Sequence, residues 1–399
     1  MVLTFPHDYK SPLAKCVVRV DDSWYDVSAW RHSHPGGAEI MDKFHNADCT
    51  DAFYSLHSEE AIQKLKRMKG KPVSADDTPR DEISKKFEVF KERLEKEGWY
   101  KRNWFLDFTL NVFPSLILCI VGTYFAHSYP LIATLLIGLG MQQAGWIGHD
   151  YVHGRGGVST LLGNSLGGLI NGFSSRWWSH KHNTHHTFPN RKEFDSDIHN
   201  EPILHLWFPE EKADTGFRQY QHYYFLVVYS FLYASWRMQS LQFVLGSRNW
   251  MERILIATNY VWLACLPWYV AVGSILVGGL CVAVVVTANH QTEEIIESDD
   301  KYNFIVDQCR STRGVATPDP FTEFFFGGLQ YQLEHHLFPT MPRYHYKSLR
   351  PIVKQWCAET GLQFHVSGIV EIAQLNYDVM KKYSKTLPDL KKKTSKKTQ

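Results

Sequence analysis

The chain has 399 residues, room for two or three domains, and a formal net charge of only +2, which gives no basis for a nucleic-acid surface. Aromatic residues make up 14% and gather near apolar runs; the seven Cys are scattered, form no C-x-x-C pair and read as reduced. Met1 to Lys10 lacks the apolar stretch of a cleaved signal peptide.

In chain order, Val17-Val18-Arg19-Val20 and Trp24-Tyr25-Asp26-Val27 read as short strands around the Asp21-Asp22-Ser23 turn. His34-Pro35-Gly36-Gly37 follows, where Pro and two Gly permit a tight loop that lifts His34 into a pocket. His57 comes next, after a short helix beginning near Asp51. Two His closing both faces of a heme leave no open position, so such iron passes electrons without binding oxygen or substrate. This stretch, residues 1–75 as a domain, resembles cytochrome b5 through its His-Pro-Gly-Gly motif and its Phe53-x-x-x-His57 spacing. The resemblance implies a small α+β fold and makes His34 and His57 the axial ligands of heme b. Residues 76–103 read as linker and amphipathic helix, with Ile83, Phe87, Phe90 and Leu94 spaced by 3 or 4. That helix either holds the heme module near a membrane or is a solvated spacer.

Phe105 to Phe125 and Leu131 to Trp146 are apolar and turn at Ser128-Tyr129-Pro130. Each approaches the ~20 residues that cross a bilayer. Lys101, Arg102 and Arg155 flank the pair, and no Lys or Arg lies between, so both flanks are expected on the cytosolic side. The second stretch runs into His149 and His153, which are i and i+4 on one helix face. Val158 to Phe173 and Tyr223 to Trp236 are too broken or too short to span and are expected to lie in the interface. Between them stands His180-Lys181-His182-Asn183-Thr184-His185-His186. On a helix, His182, His185 and His186 share a face, with neighbours ~5–6 Å apart, and imidazole is the commonest protein metal ligand. Asp195 and Asp197 either hydrogen-bond those rings or solvate a loop.

Ile254 to Val272 and Ser274 to Asn289 form a second apolar pair, expected to turn near Gly273. The last ends at His290, as the second ends at His149, so His290 is a further candidate ligand, with Glu294 one turn on. Gln332-Leu333-Glu334-His335-His336 repeats the i, i+3, i+4 spacing, with an amide first that can offer a carbonyl oxygen to a metal or a hydrogen bond to its water. The basic tail, 381–399, ends Lys396-Lys397-Thr398-Gln399, which fits an endoplasmic reticulum retrieval signal.

The clusters H-x-x-x-H, H-x-x-H-H and Q-x-x-H-H, at the ends of paired spans, resemble the membrane fatty acid desaturases. Fusion to a b5-like module and Gln332 at the head of the third cluster resemble the front-end members. Val152 departs from the Gly that many members carry there. For residues 104–380 the resemblance implies four transmembrane helices, interfacial helices and a cytosolic di-iron cap. Two non-heme irons fall to His149, His153, His182, His185, His186, Gln332, His335 and His336, with His290 the extra ligand. It also implies an O2-dependent desaturase that places a cis double bond between an existing double bond and the carboxyl end of a polyunsaturated acyl chain, carried on coenzyme A or a phospholipid. Electrons are expected from an NADH-cytochrome b5 reductase. A sphingolipid desaturase, an acyl hydroxylase or a membrane-tethered electron carrier remain as alternatives.

Overall fold

The computed structural model describes residues 10–34, 36–153, 157–210, 214 and 216–385. Arg155 and the lysine-rich end of the tail lie outside the described residues. At the N-terminus β1 (Val17–Val20) pairs antiparallel with β2 (Ser23–Asp26), Val17 opposite Asp26. Asp21 sits in the turn at φ 54°, a conformation that Asp tolerates. α1 (Ala38–Lys43), α2 (Thr50–Leu56) and α3 (Glu59–Lys66) follow, and β3 (Lys71–Pro72) returns to pair with β2. Val18, Val27, Ile40, Phe44 and Ala52 fill the interior.

The bridge helix α4 (Glu82–Glu97) begins where Asp81 accepts from the Ile83 N–H and ends at Gly98, whose φ is 86°. Its apolar stripe is buried rather than solvated. Phe90 stacks on Trp356 at 5.1 Å and Phe87 on Phe338 at 5.6 Å, so α4 is a strut held against the C-terminal part of the chain.

α5 (Trp104–Asp107), a π-turn over Phe108–Val112 and α6 (Phe113–Phe125) make one continuous 22-residue helix. α7 (Pro130–Val152) packs back along it. Then come α8 (Gly157–Ser165), α9 (Ser175–Thr187), α10 (Gln221–Ser230) and α11 (Leu232–Gly246), followed by α12 (Trp250–Ala264) and α13 (Trp268–His290). Among the described residues, three helices are long and apolar enough to cross a membrane: Trp104–Phe125, α7 and α13.

The second apolar pair divides differently from its sequence pattern. α12 stops at Ala264 and α13 starts after Pro267, so the turn precedes the expected Gly273. Proline has no N–H to give a helix interior and fits just ahead of a helix start. Gly273 instead stays helical because it faces α7: a Cβ there would lie 2.9 Å from Thr134 Cγ2. The expected interfacial stretch over Tyr223 to Trp236 breaks at Phe231, and α11 buries Tyr233, Trp236 and Phe243 in the helical core.

The remainder caps one end of these helices. It comprises α14 (Phe304–Ser311), β4 (Arg313–Ala316), α15 (Pro320–Phe326), α16 (Gln332–Leu337), α17 (Tyr346–Thr360), β5 (His365–Gly368) and α18 (Ile369–Tyr383). β4 and β5 pair in parallel, and α18 packs against α10 and α13.

A Cβ at Gly279 would lie 2.5 Å from Ser230 O and 3.0 Å from Tyr233 N, both backbone atoms. Gly279→Val therefore forces α13 off the α10–α11 junction, at an expected ~1–3 kcal/mol. A lowered Tm of the detergent-solubilised protein checks this; an unchanged Tm contradicts the packing.

Candidate metal centre

Four helices bring their His residues to one place. α7 ends in His149, with His153 as its C-cap; α9 carries His182, His185 and His186; α13 ends at His290; α16 carries His335 and His336. α9 is fixed at its start by Ser174, whose Oγ accepts from the Trp177 N–H at 3.1 Å. One turn before His182, the Trp178 ring stacks on its imidazole at 4.9 Å.

The rings sort into two groups. Ring nitrogens of His149, His153, His182, His186 and His335 lie within 4.8 Å of one another, and so do those of His185, His290 and His336. The groups adjoin, since His186 and His336 stack at 4.1 Å.

In the trio, each Nδ1 is engaged from behind. His185 Nδ1 faces Asp195 Oδ2 at 2.8 Å, His290 Nδ1 donates to Ser311 O at 2.8 Å, and His336 Nδ1 donates to Gln308 Oε1 at 2.7 Å. With the proton on Nδ1, Nε2 keeps a free lone pair, the arrangement that metal-ligating His favours. The Nε2 atoms of His185 and His290 face each other at 3.3 Å.

In the quintet, His182 Nε2 lies 2.5 Å from His149 Nε2 and 2.9 Å from His186 Nε2. Among the described residues, both ring nitrogens of His153 and the Nε2 atoms of His335 and His336 are buried with no hydrogen-bond partner. Each such atom costs about 1–3 kcal/mol left unpaired. A cation held in each group would take one lone pair from each ring, and an all-imidazole set suits iron. The residues present thus fit a pair of irons.

Electrostatics favour the metal-binding form. Burial first, and crowding by neighbouring imidazoles second, hold His182, His186, His335 and His336 well below the ordinary imidazole value, so they are neutral. His185 is different: burial lowers it, but Asp195 and Asp197 raise it by more. Asp195 is itself held by the N–H groups of Asn190 and Asp197, at 2.8 and 2.9 Å. Asp197 pairs chiefly with Lys181.

Gln332 stands at the edge of the trio, its Nε2 2.8 Å from His290 Nε2 and its Oε1 accepting from Asn289 Nδ2 at 2.7 Å. Glu294 turns away and pairs with Arg310. His180 also turns away, to Gly36 O at 3.0 Å. Asn190, Asn289 and Gln308 are buried supports of the cluster that no motif marks. Gln308 ties α9 to α16, donating to His186 O at 2.7 Å while accepting from His336.

In the N-terminal unit, His34 Nε2 and His57 Nε2 face each other across 3.4 Å. His34 Nδ1 donates to Gly37 O and His57 Nδ1 to Phe53 O, leaving both Nε2 atoms aimed at one point. Gly36 is required by crowding: a Cβ would lie 2.9 Å from His34 Cε1. Burial, then the His34 ring, pushes His57 down to about 4. Two neutral imidazoles in opposition fit the axial positions of a heme.

The family model described as fatty acid desaturase matches residues 126–368, and the one described as cytochrome b5-like heme/steroid binding domain matches residues 7–77. The chain is 32% identical to a Delta(8)-fatty-acid desaturase of Euglena gracilis, over 85% of this chain and 88% of that one. It is 29% identical to a Delta(6)-fatty-acid desaturase of Caenorhabditis elegans, over 91% and 95%. It is also 29% identical to a Delta(5) fatty acid desaturase of the same organism, over 88% and 91%. A desaturase model spanning most of the chain, over the helices that bring the imidazoles together, shows that the protein belongs to the fatty acid desaturase family, with a cytochrome b5-like heme domain ahead of the desaturase domain.

Proposed function

We propose that the protein is a front-end desaturase, placing a cis double bond between an existing double bond and the carboxyl end of a polyunsaturated C18 to C22 acyl chain. One observation carries this reading: two adjoining groups of buried imidazoles share a surface with a heme-ligand pair fused to the same chain. Each double bond consumes one O2, two electrons and two protons and releases two waters. A heme carries one electron at a time, so the heme that His34 and His57 would hold supplies a reloadable store. An NADH-dependent flavoprotein reductase fills it.

We assign His149, His153, His182, His186 and His335 to one iron, and His185, His290 and His336, with Gln332 at their edge, to the other. When bound, the irons supply the O2 chemistry that removes hydrogen from two adjacent methylenes, which acid and base side chains cannot do. The protein's part is to orient and to exclude water. Asp195 and Gln308 hold ligand rings in one tautomer. Trp146, Val152, Trp178 and Tyr233 line a small apolar cavity of about 30 Å³ that touches His149 and keeps water from that side of the cluster.

The reading includes a fourth crossing by α12. Its 15 residues reach only about 22 Å at 1.5 Å each, against a core of about 30 Å. Trp250, Ile254, Val261 and Trp268 are exposed along α12 and its junction with α13, which suits lipid contact. With four crossings, the heme domain, the clusters and the basic tail share the cytosolic face of the endoplasmic reticulum.

His185→Ala is expected to lose non-heme iron and desaturation while keeping the heme spectrum, and Asp195→Asn to weaken iron affinity about 10–100-fold. Full iron in the His185→Ala protein contradicts the ligand assignment. Yeast expressing the chain and fed defined polyunsaturated acids is expected to yield acids with one more double bond on the carboxyl side. Hydroxylated acids or desaturated sphingoid bases overturn the front-end reading.

A further inference from the structure

We infer that His180 is a positioning residue for electron transfer, docking the heme loop onto the helix that carries the central histidine cluster. Successive residues on a helix turn by about 100°, so His180 and His182 point to nearly opposite sides of α9. His182 faces the quintet. His180 faces the heme domain, with its Nδ1 3.0 Å from Gly36 O. Gly36 lies two residues after His34, whose Nε2 faces the heme position. A single hydrogen bond therefore joins the loop of one axial ligand to the helix of the other metal's ligand, with two residues of chain on each side.

Neighbouring contacts hold the same two surfaces together. Phe44, just after α1, stacks on Phe188 at 5.2 Å, and Lys43 Nζ lies 4.8 Å from the Phe194 ring centre. Phe44 also meets Tyr302 edge-on at 5.5 Å. These apolar and cation–π contacts supply adhesion, but they join the end of α1 to segments other than α9 and do not involve the heme loop itself. Among the described residues, His180 reaches from α9 to the loop itself.

The inference rests on assigning His34 to heme and His182 to iron. With both groups bound, each transfer would oxidise the heme held by His34 and His57 from ferrous to ferric and reduce one iron held by the imidazole cluster from ferric to ferrous. Two transfers serve each double bond, and an external one-electron reductant reloads the heme between them. His180 neither gains nor loses charge; it shortens and fixes the path.

The test compares wild type, His180→Leu and His180→Gln in full-length protein loaded with heme and iron. The heme is first reduced chemically, and its reoxidation is followed by absorbance on mixing with O2 and a polyunsaturated acyl substrate. Wild-type reoxidation that depends on substrate supports the metal assignments; its absence overturns those assignments rather than the role of His180. His180→Leu is expected to slow reoxidation about fivefold, the size of one net hydrogen bond lost from the docked state. His180→Gln, which keeps an N–H donor, is expected to restore most of the rate. A second readout needs no turnover: amide hydrogen exchange at Gly36 and Gly37 speeds in the Leu variant and returns toward wild type in the Gln variant. Heme spectrum, heme potential and iron content are measured alongside, and if Leu loses metal, His180→Met replaces it. Equal reoxidation in wild type and the donor-free variant, or failure of Gln to restore a rate lost with full metal content, overturns the inference.

Discussion

Seven buried imidazoles and a half-buried eighth, His290, lie together, and their lone pairs call for metal ions to hold them. Each ring nitrogen removed from water without a partner costs free energy, and for His182, His186, His335 and His336 burial, then the neighbouring imidazoles, prevent escape from that cost by protonation. The protein accepts this arrangement at the meeting point of α7, α9, α13 and α16. The rest of the chain can be read as the scaffold that such convergence demands. α7 and α13 approach closely along their length: a Cβ at Gly138 would lie 2.7 Å from Val277 Cγ1, so a larger residue there would push the two helices that carry His149 and His290 apart. The cap then brings α16 onto those ends, and α14 supplies Gln308 behind them.

The same convergence joins the chain's two cofactor sites mechanically. α4 is pinned to the cap by Phe87 and Phe90, and α2 is tied to α4 through Ser84, whose hydroxyl donates to Asp51 Oδ2 at 2.5 Å. Arg80 reinforces that link through Asp51 and Glu88. The heme domain is thus seated on the desaturase domain rather than trailing from it. Fusion alone raises the donor's effective concentration; seating also sets its orientation.

Much of this was legible from residue spacing. His182, His185 and His186 share a helix face because i, i+3 and i+4 must, and both His-rich segments are helical as their spacing requires. The strands, the amphipathic α4 and His290 at a helix end follow from equally local patterns. What spacing cannot carry is the meeting of distant segments. Gln308 and Asn190 sit in stretches with no distinctive neighbours, and their value appears only when α14 and the loop after α9 fold against the cluster. Gly273 misleads for a related reason. A glycine in an apolar run suits a turn or a close helix contact equally well, and Thr134, far away in the chain, decides it. His180 reads as one more member of a histidine-rich segment until the heme loop is seen beside it.

Anomalous diffraction from crystals of the holoenzyme at the iron edge tests the central claim most directly. Three iron peaks are expected: one between His34 and His57, one among His149, His153, His182, His186 and His335, and one among His185, His290 and His336. A peak at the heme alone, or a second metal lying away from these rings, contradicts the account.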